Sequence, residues 1–401
     1  MPRSTAPGER SPLAFLLIAV FVDLAGYGIV LPLLPFYIQA QAPGGLTVGL
    51  LASLYAAVQL VGAPVLGGLS DRVGRRPVLL ACITGTSAAY LLLGLADTLT
   101  LIIVAIVLDG ATGGNLAVAQ AYIADSTSRD SRARGLGLIG AAFGLGLITG
   151  PAIGGLLSLY SLSAPALFAA ALALANAVFG FLVLPESLPP GRRRRTPLVY
   201  LNPVSQLSGV LRTPGIRAIL VVIFLLNLSF AGLISNFPLF SGARFGWDQT
   251  SNAFFYAFVG LCAVATQGLF VGWLGRRIGE RRMIALGLAL ASAGLGLLAA
   301  APSGWTLYPV TGLLAAGIGV AIPALAALVS GLAPEDGQGR IMGGQQAVLG
   351  LALVAGPGMA GVAFDGLGPA APYWIGSFLA ALALSVCLFT FFRDGSGISV
   401  R

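Results

Sequence analysis

The chain has 401 residues, of which 57% are hydrophobic and 9% are charged, and its mean hydropathy is +0.92. This composition excludes an ordinary soluble domain and indicates a protein whose solvent is lipid. The net charge of +8 comes from arginine alone, because the sequence contains neither lysine nor histidine.

Hydrophobic stretches long enough to cross a bilayer recur from Leu13 almost to the C-terminus. A helix needs about 20 apolar residues to cross a hydrocarbon core of roughly 30 Å. Twelve such helices account for nearly the whole chain, which leaves no room for a soluble catalytic domain. The predicted spans are 13–38, 46–69, 78–96, 100–124, 135–158, 165–184, 216–240, 250–273, 283–301, 306–330, 341–363 and 371–392.

The arginines fall in alternate loops between these spans. If the N-terminus is cytoplasmic, every arginine except Arg244 lies in a cytoplasmic loop or tail. The positive-inside rule therefore predicts an N-in, C-in orientation and an even number of spans. It also accounts for the basic charge without a nucleic-acid partner. We expect a monomeric, multi-pass protein of the inner or plasma membrane, in contact with lipid.

The sequence divides into two predicted six-helix bundles, 1–184 and 216–401, joined by a cytoplasmic linker at 185–215. The linker contains Pro189, Pro190 and the run Arg192 to Arg195, which could bind anionic lipid or simply anchor the topology. The segment 67–76 has an echo 205 residues later, and Gly150-Pro151 recurs at Gly356-Pro357. Two repeats of this kind are typical of a transporter that rocks about a central site.

The loop between spans 2 and 3 carries the most specific motif, and we call it the signature loop. Its glycine at Gly74 favours a tight turn between two helix ends. Asp71 and Arg72 are available for charge pairs that latch the cytoplasmic side. The residues of the motif are Gly67, Leu69, Ser70, Asp71, Arg72, Gly74, Arg75 and Arg76.

This pattern, in this place, resembles the signature of the major facilitator superfamily. The resemblance implies that the loop aspartate and arginine engage an acid at the end of span 4, which here is Asp125. The alternative interpretation is that the loop charges serve only to orient the chain in the membrane.

Span 5 carries a row of small residues that resembles the motif of the antiporter branch of that superfamily. Small residues at this spacing let two helices approach closely, and a proline bends the span. Helix packing without any role in transport is the alternative. The residues concerned are Gly146, Gly150, Pro151, Gly154 and Gly155.

Within that branch the chain resembles the tetracycline/proton antiporters over most of its length. The segments that carry the resemblance are 22–35, 71–80, 143–155, 244–247 and 322–325. The resemblance implies export of an amphipathic, cationic or zwitterionic drug, driven by the proton gradient and without a cofactor. Two charged positions of the family differ, because its span 3 acid is Ala89 here and its span 4 arginine is Ile106. An acid outside the family pattern stands one turn further on, at Asp109.

Asp23 and Asp109 are predicted to lie near the middle of the membrane, in spans 1 and 4. A carboxylate at the bilayer centre costs roughly 2.5–3.5 kcal/mol on insertion scales, so a decorative role is disfavoured. No arginine lies in a span core to neutralise them. We therefore expect both to take part in proton coupling and substrate binding, within one shared site. The alternative is that each is neutral and hydrogen-bonded between helices.

Other substrate contacts are predicted from polar and aromatic residues at similar depth, although such residues more often join helices. They are Gln59, Asn115 and Gln346, with Tyr55, Phe230 and Tyr256 available to stack on a planar drug. The three cysteines are far apart and predict no metal site. The sequence also lacks a phosphate-binding loop of the GxxxxGK[ST] form and any nucleophile elbow, which disfavours ATP-driven export and enzymatic activity.

Two other functions remain open at this stage. The same fold could import its substrate or act as a sugar-type facilitator, which the span 5 pattern disfavours. A protein that handles lipid or acts as a sensor without transport is the third possibility. The signature loop and the two deep acids argue against it.

Overall fold

The computed structural model describes residues 12–126, 129–193, 216–332 and 338–392, so most of the predicted linker, 194–215, lies outside it. All regular structure in these ranges is helical. The helices are α1 (Pro12–Val30), α2 (Leu34–Gln41), α3 (Gly45–Val73), α4 (Arg75–Gly94), α5 (Leu99–Thr112), α6 (Asn115–Ser126), α7 (Arg129–Ser158), α8 (Ser163–Val183), α9 (Ile216–Ser229), α10 (Ala231–Ser235), α11 (Phe237–Phe245), α12 (Gln249–Ala265), α13 (Val271–Ala299), α14 (Leu307–Gly331), α15 (Gln338–Leu367) and α16 (Ala371–Phe392).

Ten helical segments of the described chain are long and apolar enough to cross a membrane. The predicted spans 135–158 and 250–273 are not among these ten. The first lies within the thirty-residue helix α7, and the second comprises α12 and a π-helical turn, Thr266–Phe270, that leads into α13. Twelve spans and the N-in orientation therefore stay predictions.

Three spans that were predicted to be continuous are interrupted. The first breaks between α1 and α2, around Pro32, whose ring nitrogen cannot donate a helical hydrogen bond. The fourth breaks at Gly113–Gly114, and the seventh at Phe230 and Asn236. Irregular backbone at membrane depth is tolerated where protein groups satisfy it. Here Gln59 donates from Nε2 to the carbonyl oxygen of Gly113 at 3.3 Å.

The signature loop and its echo turn in the same way. Gly74 has φ +121°, and Gly279, 205 residues later, has φ +74°, so both lie in the region that favours glycine. At each glycine the chain leaves one helix and enters the next without a longer loop. The repeat noted in the sequence thus extends to the backbone.

The apolar core consists of three buried clusters. One lies entirely from Ile216 onward and joins α9 to α16. A second, around Leu16 and Tyr122, lies before the linker, whereas the third, around Ile29 and Ile106, also includes Leu239 and Ala253 from beyond it. We refer to α1–α8 and α9–α16 as the two halves. They pack on each other chiefly through α3 against α15 and α7 against α12.

Candidate functional site

A cavity of about 250 Å³ lies where α1, α2, α3, α4 and α5 face α10 and α15. Most of its lining is aliphatic, and among the described residues that line it Asp109 is the one with a formal charge. The polar groups of the lining are Tyr27, Tyr55, Gln59, Tyr90, Asp109 and Ser235. A mostly apolar chamber with a few polar groups is the usual form of a site for a small organic molecule.

Asp109 lies in the last turn before the break in span 4. Tyr27, Tyr55 and Tyr90 line the same cavity. The carboxyl group of Asp109 therefore shares the cavity with three tyrosine rings. Such an arrangement attracts positive charge, because both a carboxylate and the face of an aromatic ring are negative.

Asp23 belongs to a different space, a pocket of about 10 Å³ between α1, α4 and α6. Its Oδ2 accepts a hydrogen bond from Nδ2 of Asn115. Its Oδ1 is buried and has no hydrogen-bond partner within the described part of the chain. Apart from Asn115, the pocket is lined by apolar side chains, including Leu79 and Ile83. The carboxyl group is thus held by one amide in an otherwise apolar setting.

The break in span 4 connects these two spaces. Asp109 lies in the last turn of the helix before the Gly113–Gly114 turn, and Asn115 is the first residue of the helix after it. Gln59 donates from Nε2 to both the Gly113 carbonyl oxygen and Tyr55 Oη, each at 3.3 Å. The two glycines let α3 approach the turn closely, because a Cβ atom at Gly113 would lie 2.8 Å from Nε2 of Gln59 and one at Gly114 would lie 3.2 Å from Cα of Ala63. Gln59 supplies the donor that a continuous helix would have provided.

The structure brings together some of the predicted substrate residues and not others. Asp109, Gln59 and Tyr55 line the cavity. Asp23 and Asn115 line the separate small pocket, so the two acids face different spaces in this conformation, and their joint role in coupling stays a prediction.

Three predicted substrate contacts lie away from both spaces. Tyr256 packs against Phe237 and donates its hydroxyl to the Leu233 carbonyl oxygen at 3.1 Å. Phe230 packs against the core of the second half. Gln346 is exposed and does not line the cavity. These side chains were chosen by depth, and helix rotation directs them elsewhere.

Two tyrosines and one serine of the cavity were not predicted from the sequence. Tyr27 follows Asp23 by one helical turn and Tyr90 directly follows Ala89, so helical periodicity could have indicated both. Ser235 could not be found this way, because it lies on the short helix α10 of the interrupted seventh span. Ala89 and Ile106, the two departures from the family pattern, both line the cavity.

In the signature loop, Arg75 forms the ion pair that we had assigned to Arg72. Nε of Arg75 lies 2.9 Å from Oδ2 of Asp125, and its Nη2 lies 2.6 Å from Oδ1 of Asp71. Nη1 donates to Ser70 Oγ at 2.6 Å. The reason is the turn at Gly74, which ends α3 and makes Arg75 the first residue of α4. Arg72 also has a contact of its own.

Glu186, which the sequence analysis did not single out, completes this cluster. Its Oε1 accepts from the backbone nitrogen of Arg75 at 2.9 Å and from that of Leu188 at 2.9 Å. It thereby caps the start of α4 from the end of span 6. Arg76 lies over the ring of Phe181, 5.5 Å from its centroid. The loop is thus tied to spans 2, 4 and 6 within the first half.

The small residues of span 5 face α1, the helix that carries Asp23. A Cβ atom at Gly150 would lie 2.6 Å from the backbone of Gly28, and one at Gly146 would lie 2.9 Å from that of Leu24. Gly154 meets Ile29 in the same way, whereas Gly155 faces Ala253 in the other half. Pro151 contacts Gly28 within the same row.

Comparison with known proteins agrees with this architecture. The sequence model of the Major Facilitator Superfamily matches residues 16–270 and 261–399. The chain is 37% identical over 352 residues to the tetracycline resistance protein, class C, of Escherichia coli, covering 87% of this chain and 88% of that one. The crystal structure of the human organic anion transporter MFSD10 is 26% identical with a TM-score of 0.71, covering 95% of this chain and all of that one. The nucleoside transporter NupG shares the fold, with a TM-score of 0.81 at 13% identity over 95% of this chain and 100% of that one.

Proposed function

The chain belongs to the major facilitator superfamily, and from that premise we propose that it is a proton-coupled antiporter that exports a small amphipathic, cationic or zwitterionic compound. It is a multi-pass membrane transporter related to bacterial drug-efflux proteins, which are proteins of the inner membrane. Proton coupling, antiport and the nature of the compound are the parts that we propose.

The observation that carries the proposal is the apolar cavity, whose described lining has Asp109 as its one charged group, together with Asp23, whose Oδ1 is buried. The chamber can hold an organic molecule, and the two acids can exchange protons. Arginine is absent from the described lining, so an ionised carboxyl group there needs a cation or a proton to offset its charge. An antiporter that exchanges a cation for a proton depends on this need of the carboxyl group for a compensating positive charge.

We propose a drug-like cation or zwitterion as the substrate, and we do not propose tetracycline in particular. At Ala89 and Ile106 the cavity is apolar where the tetracycline/proton antiporters resembled by this sequence carry an acid and an arginine. Charge recognition in this chain then rests on Asp109, three residues beyond Ile106. Tetracycline itself is therefore one candidate among other amphipathic compounds.

We also propose the topology that the arginines predict, with twelve spans, both termini in the cytoplasm and the linker 185–215 between two six-helix bundles. The signature loop then lies in the cytoplasm, and the contacts of α3 with α15 near Gly45 lie on the outside. In this arrangement the described conformation is closed at the outer end. Alternating access would open that end and close the other.

The experiment that tests the function is transport by the purified protein in liposomes under an imposed proton gradient. Uptake of a fluorescent cation into inside-out oriented vesicles should require the gradient and should be accompanied by proton movement in the opposite direction. Movement of cation and proton in the same direction would favour the importer alternative. Neither movement, with retained ligand binding, would favour a sensor or lipid-handling protein.

A further inference from the structure

The two deep acids open into spaces of very different size. Asp109 faces the cavity of about 250 Å³, whereas Asp23 faces a pocket of about 10 Å³. A pocket of that volume has room for about one water molecule. An organic cation can therefore reach Asp109 but not Asp23 in this conformation.

We propose that Asp109 binds the positive charge of the substrate, that Asp23 carries the exchanged proton, and that Gln59 links the two. This assignment rests on the antiport proposed above and gives each acid one role. The ligand class for the cavity is an amphipathic monocation, with its charge at Asp109 and its apolar part against the tyrosine rings. Asp23, with one unpartnered oxygen in a water-sized pocket, is suited to a proton.

Electrostatics supply the first part of the linkage. Asp23 lies one helical turn before Tyr27, which lines the cavity together with Asp109. A cation bound at Asp109 lowers the cost of a negative charge at Asp23, which favours breaking the O–H bond of Asp23 and passing its proton to water. The amide of Asn115 then donates to the resulting carboxylate. The other titratable groups of the cavity lining are the phenols of Tyr27, Tyr55 and Tyr90.

The broken helix supplies the second part. Tyr55 lines the cavity and is bonded to Gln59, and Gln59 is bonded to the carbonyl of Gly113. Two residues later, Asn115 holds Asp23. A ligand that moves the ring of Tyr55 therefore acts on the turn that positions the partner of the proton-carrying acid. Gln59 is a positioning residue in this scheme.

The test uses the purified full-length protein with tetraphenylphosphonium, a permanent cation, and triphenylphosphine oxide, a neutral relative. Equilibrium binding is measured for both, and proton release on adding the cation is measured with a pH indicator in weak buffer. Asp109→Asn should weaken binding of the cation at least about tenfold and leave the neutral ligand within twofold. Asp23→Asn should bind the cation within about threefold of wild type and release no proton.

Gln59→Leu is the diagnostic variant for the linkage. It should bind the cation but release clearly less than the wild-type number of protons, an effect that a general loss of packing would not produce. Asn115→Ala, which keeps both acids, should likewise reduce proton release more than binding. Thermal unfolding midpoints identify any variant that fails to fold, and the remaining variants then decide the result.

Equal loss of cation binding in Asp23→Asn and Asp109→Asn would overturn the separation of roles while leaving antiport intact. Unchanged cation binding by Asp109→Asn would do the same. Wild-type protein that binds the cation without releasing protons would instead contradict proton coupling itself.

A second inference comes from an unrelated feature, the way in which α3 begins. Its N-cap is Gly44, which has no side chain to accept a hydrogen bond from the first turn. Asp365, at the far end of α15 in the other half, accepts from the backbone nitrogens of Gly45 and Leu46, each at 2.8 Å. The free N–H groups of a helix start are thus satisfied from across the interface.

The equivalent helix of the second half is capped locally. Asp248 precedes α12 and accepts from the backbone nitrogen of Ser251 at 2.8 Å. Of these two helix starts, α3 is capped by a residue of the opposite half, whereas α12 is capped by a residue of its own half. Asn236, also from the second half, adds a hydrogen bond to the carbonyl oxygen of Gly45 at 3.2 Å.

From this asymmetry we infer that Asp365 is a latch that holds closed the end of the molecule away from the signature loop. When that end opens, α3 and α15 separate there and the first turn of α3 loses its cap. The α7–α12 contact closes the same end, where Gln249 donates to the Ser158 carbonyl oxygen at 3.0 Å. Among these contacts the Asp365 carboxylate is the one that both accepts two hydrogen bonds and interacts favourably with the dipole of the helix that it caps.

The test measures the distance between two spin labels, one at Ser161 and one at Ser303. These residues lie in loops at this end of the molecule, one in each half. The native cysteines are replaced beforehand so that the labels attach only at these two positions. Asp365→Ala should raise the ratio of open to closed populations roughly fivefold, the value of a typical lost cap. Asp365→Asn, which retains one accepting oxygen, should change this ratio less. It replaces the alanine variant in the test if that variant does not fold.

Asp248→Ala is the matched control, since it removes a carboxylate cap at the same end without touching the interface. It should lower the unfolding midpoint and leave the distance distribution unchanged. An unchanged distribution in both Asp365 variants, or an equal shift in Asp248→Ala, would overturn the latch.

Discussion

Arg75 and Asp125 form an ion pair, 2.9 Å from Nε to Oδ2, that ties the start of α4 to the end of α6. The same guanidinium group also pairs with Asp71. Both carboxylates are partly shielded from water, so the pairs are worth more than those of a fully exposed surface. Both of these ion pairs of the signature loop lie within the first half.

Arg75→Ala should consequently destabilise the protein more than Arg72→Ala does. Removing the shared cation leaves two neighbouring carboxylates to repel each other, at a cost of about 1–3 kcal/mol. The thermal unfolding midpoint should fall by several degrees, and transport should fall with it. Arg276→Ala, in the corresponding loop of the second half, is the control and should change little. A larger effect from Arg72→Ala would return the main role to that residue.

Gly150→Leu should abolish close contact between α7 and α1 and reduce transport at least about tenfold, while insertion and yield persist. The reason is steric, because a Cβ atom there would lie 2.6 Å from Gly28. Gly312→Leu is the matched control, since a Cβ atom at that glycine meets no atom within 4 Å. Transport is measured in liposomes for both. Normal transport by Gly150→Leu would mean that the glycine row is incidental.

Gly74→Ala should destabilise the signature loop more than Gly279→Ala destabilises its echo. Both glycines have positive φ with ψ near 160°, a region occupied essentially only by glycine, so both variants incur backbone strain of about 1–3 kcal/mol. At position 74 the added methyl group also collides with the carboxylate of Glu186, whereas at position 279 nothing lies within 4 Å. Chemical denaturation compares the two. Equal losses of unfolding free energy in the two variants would show that Glu186 moves aside without an energetic cost.

Binding of a permanent cation should strengthen as the pH rises, because a cation bound at Asp109 favours loss of the proton from Asp23. If one proton leaves for each cation bound, affinity changes by up to about tenfold per pH unit in the titrating range. Asp23→Asn and Asp109→Asn should each flatten this dependence, since an amide keeps the shape but exchanges no proton. Affinity at four pH values in detergent gives the slopes. A full slope in both variants would rule out these acids as the coupling site.

Much of this description followed from the sequence, because it depends on local properties. Apolar length and the positions of arginine indicated helices in a membrane and their orientation, since lipid demands internally bonded backbone and loops retain charge. The glycine row of span 5 indicated a close helix contact, and its repeat at Gly356-Pro357 indicated two related halves. The depths of Asp23 and Asp109 followed from counting residues along a helix.

Which side chains meet was decided by tertiary structure alone. Depth does not determine helix rotation, so Gln59 and Tyr55 reach the cavity while Tyr256 and Gln346 do not. The turn at Gly113–Gly114 places Asp109 and Asn115 on opposite sides of a break, which separates two acids that depth alone would put together. Asp365 and Gly45 are 320 residues apart, and they meet because the two halves pack α3 on α15 and leave a helix start without a cap of its own.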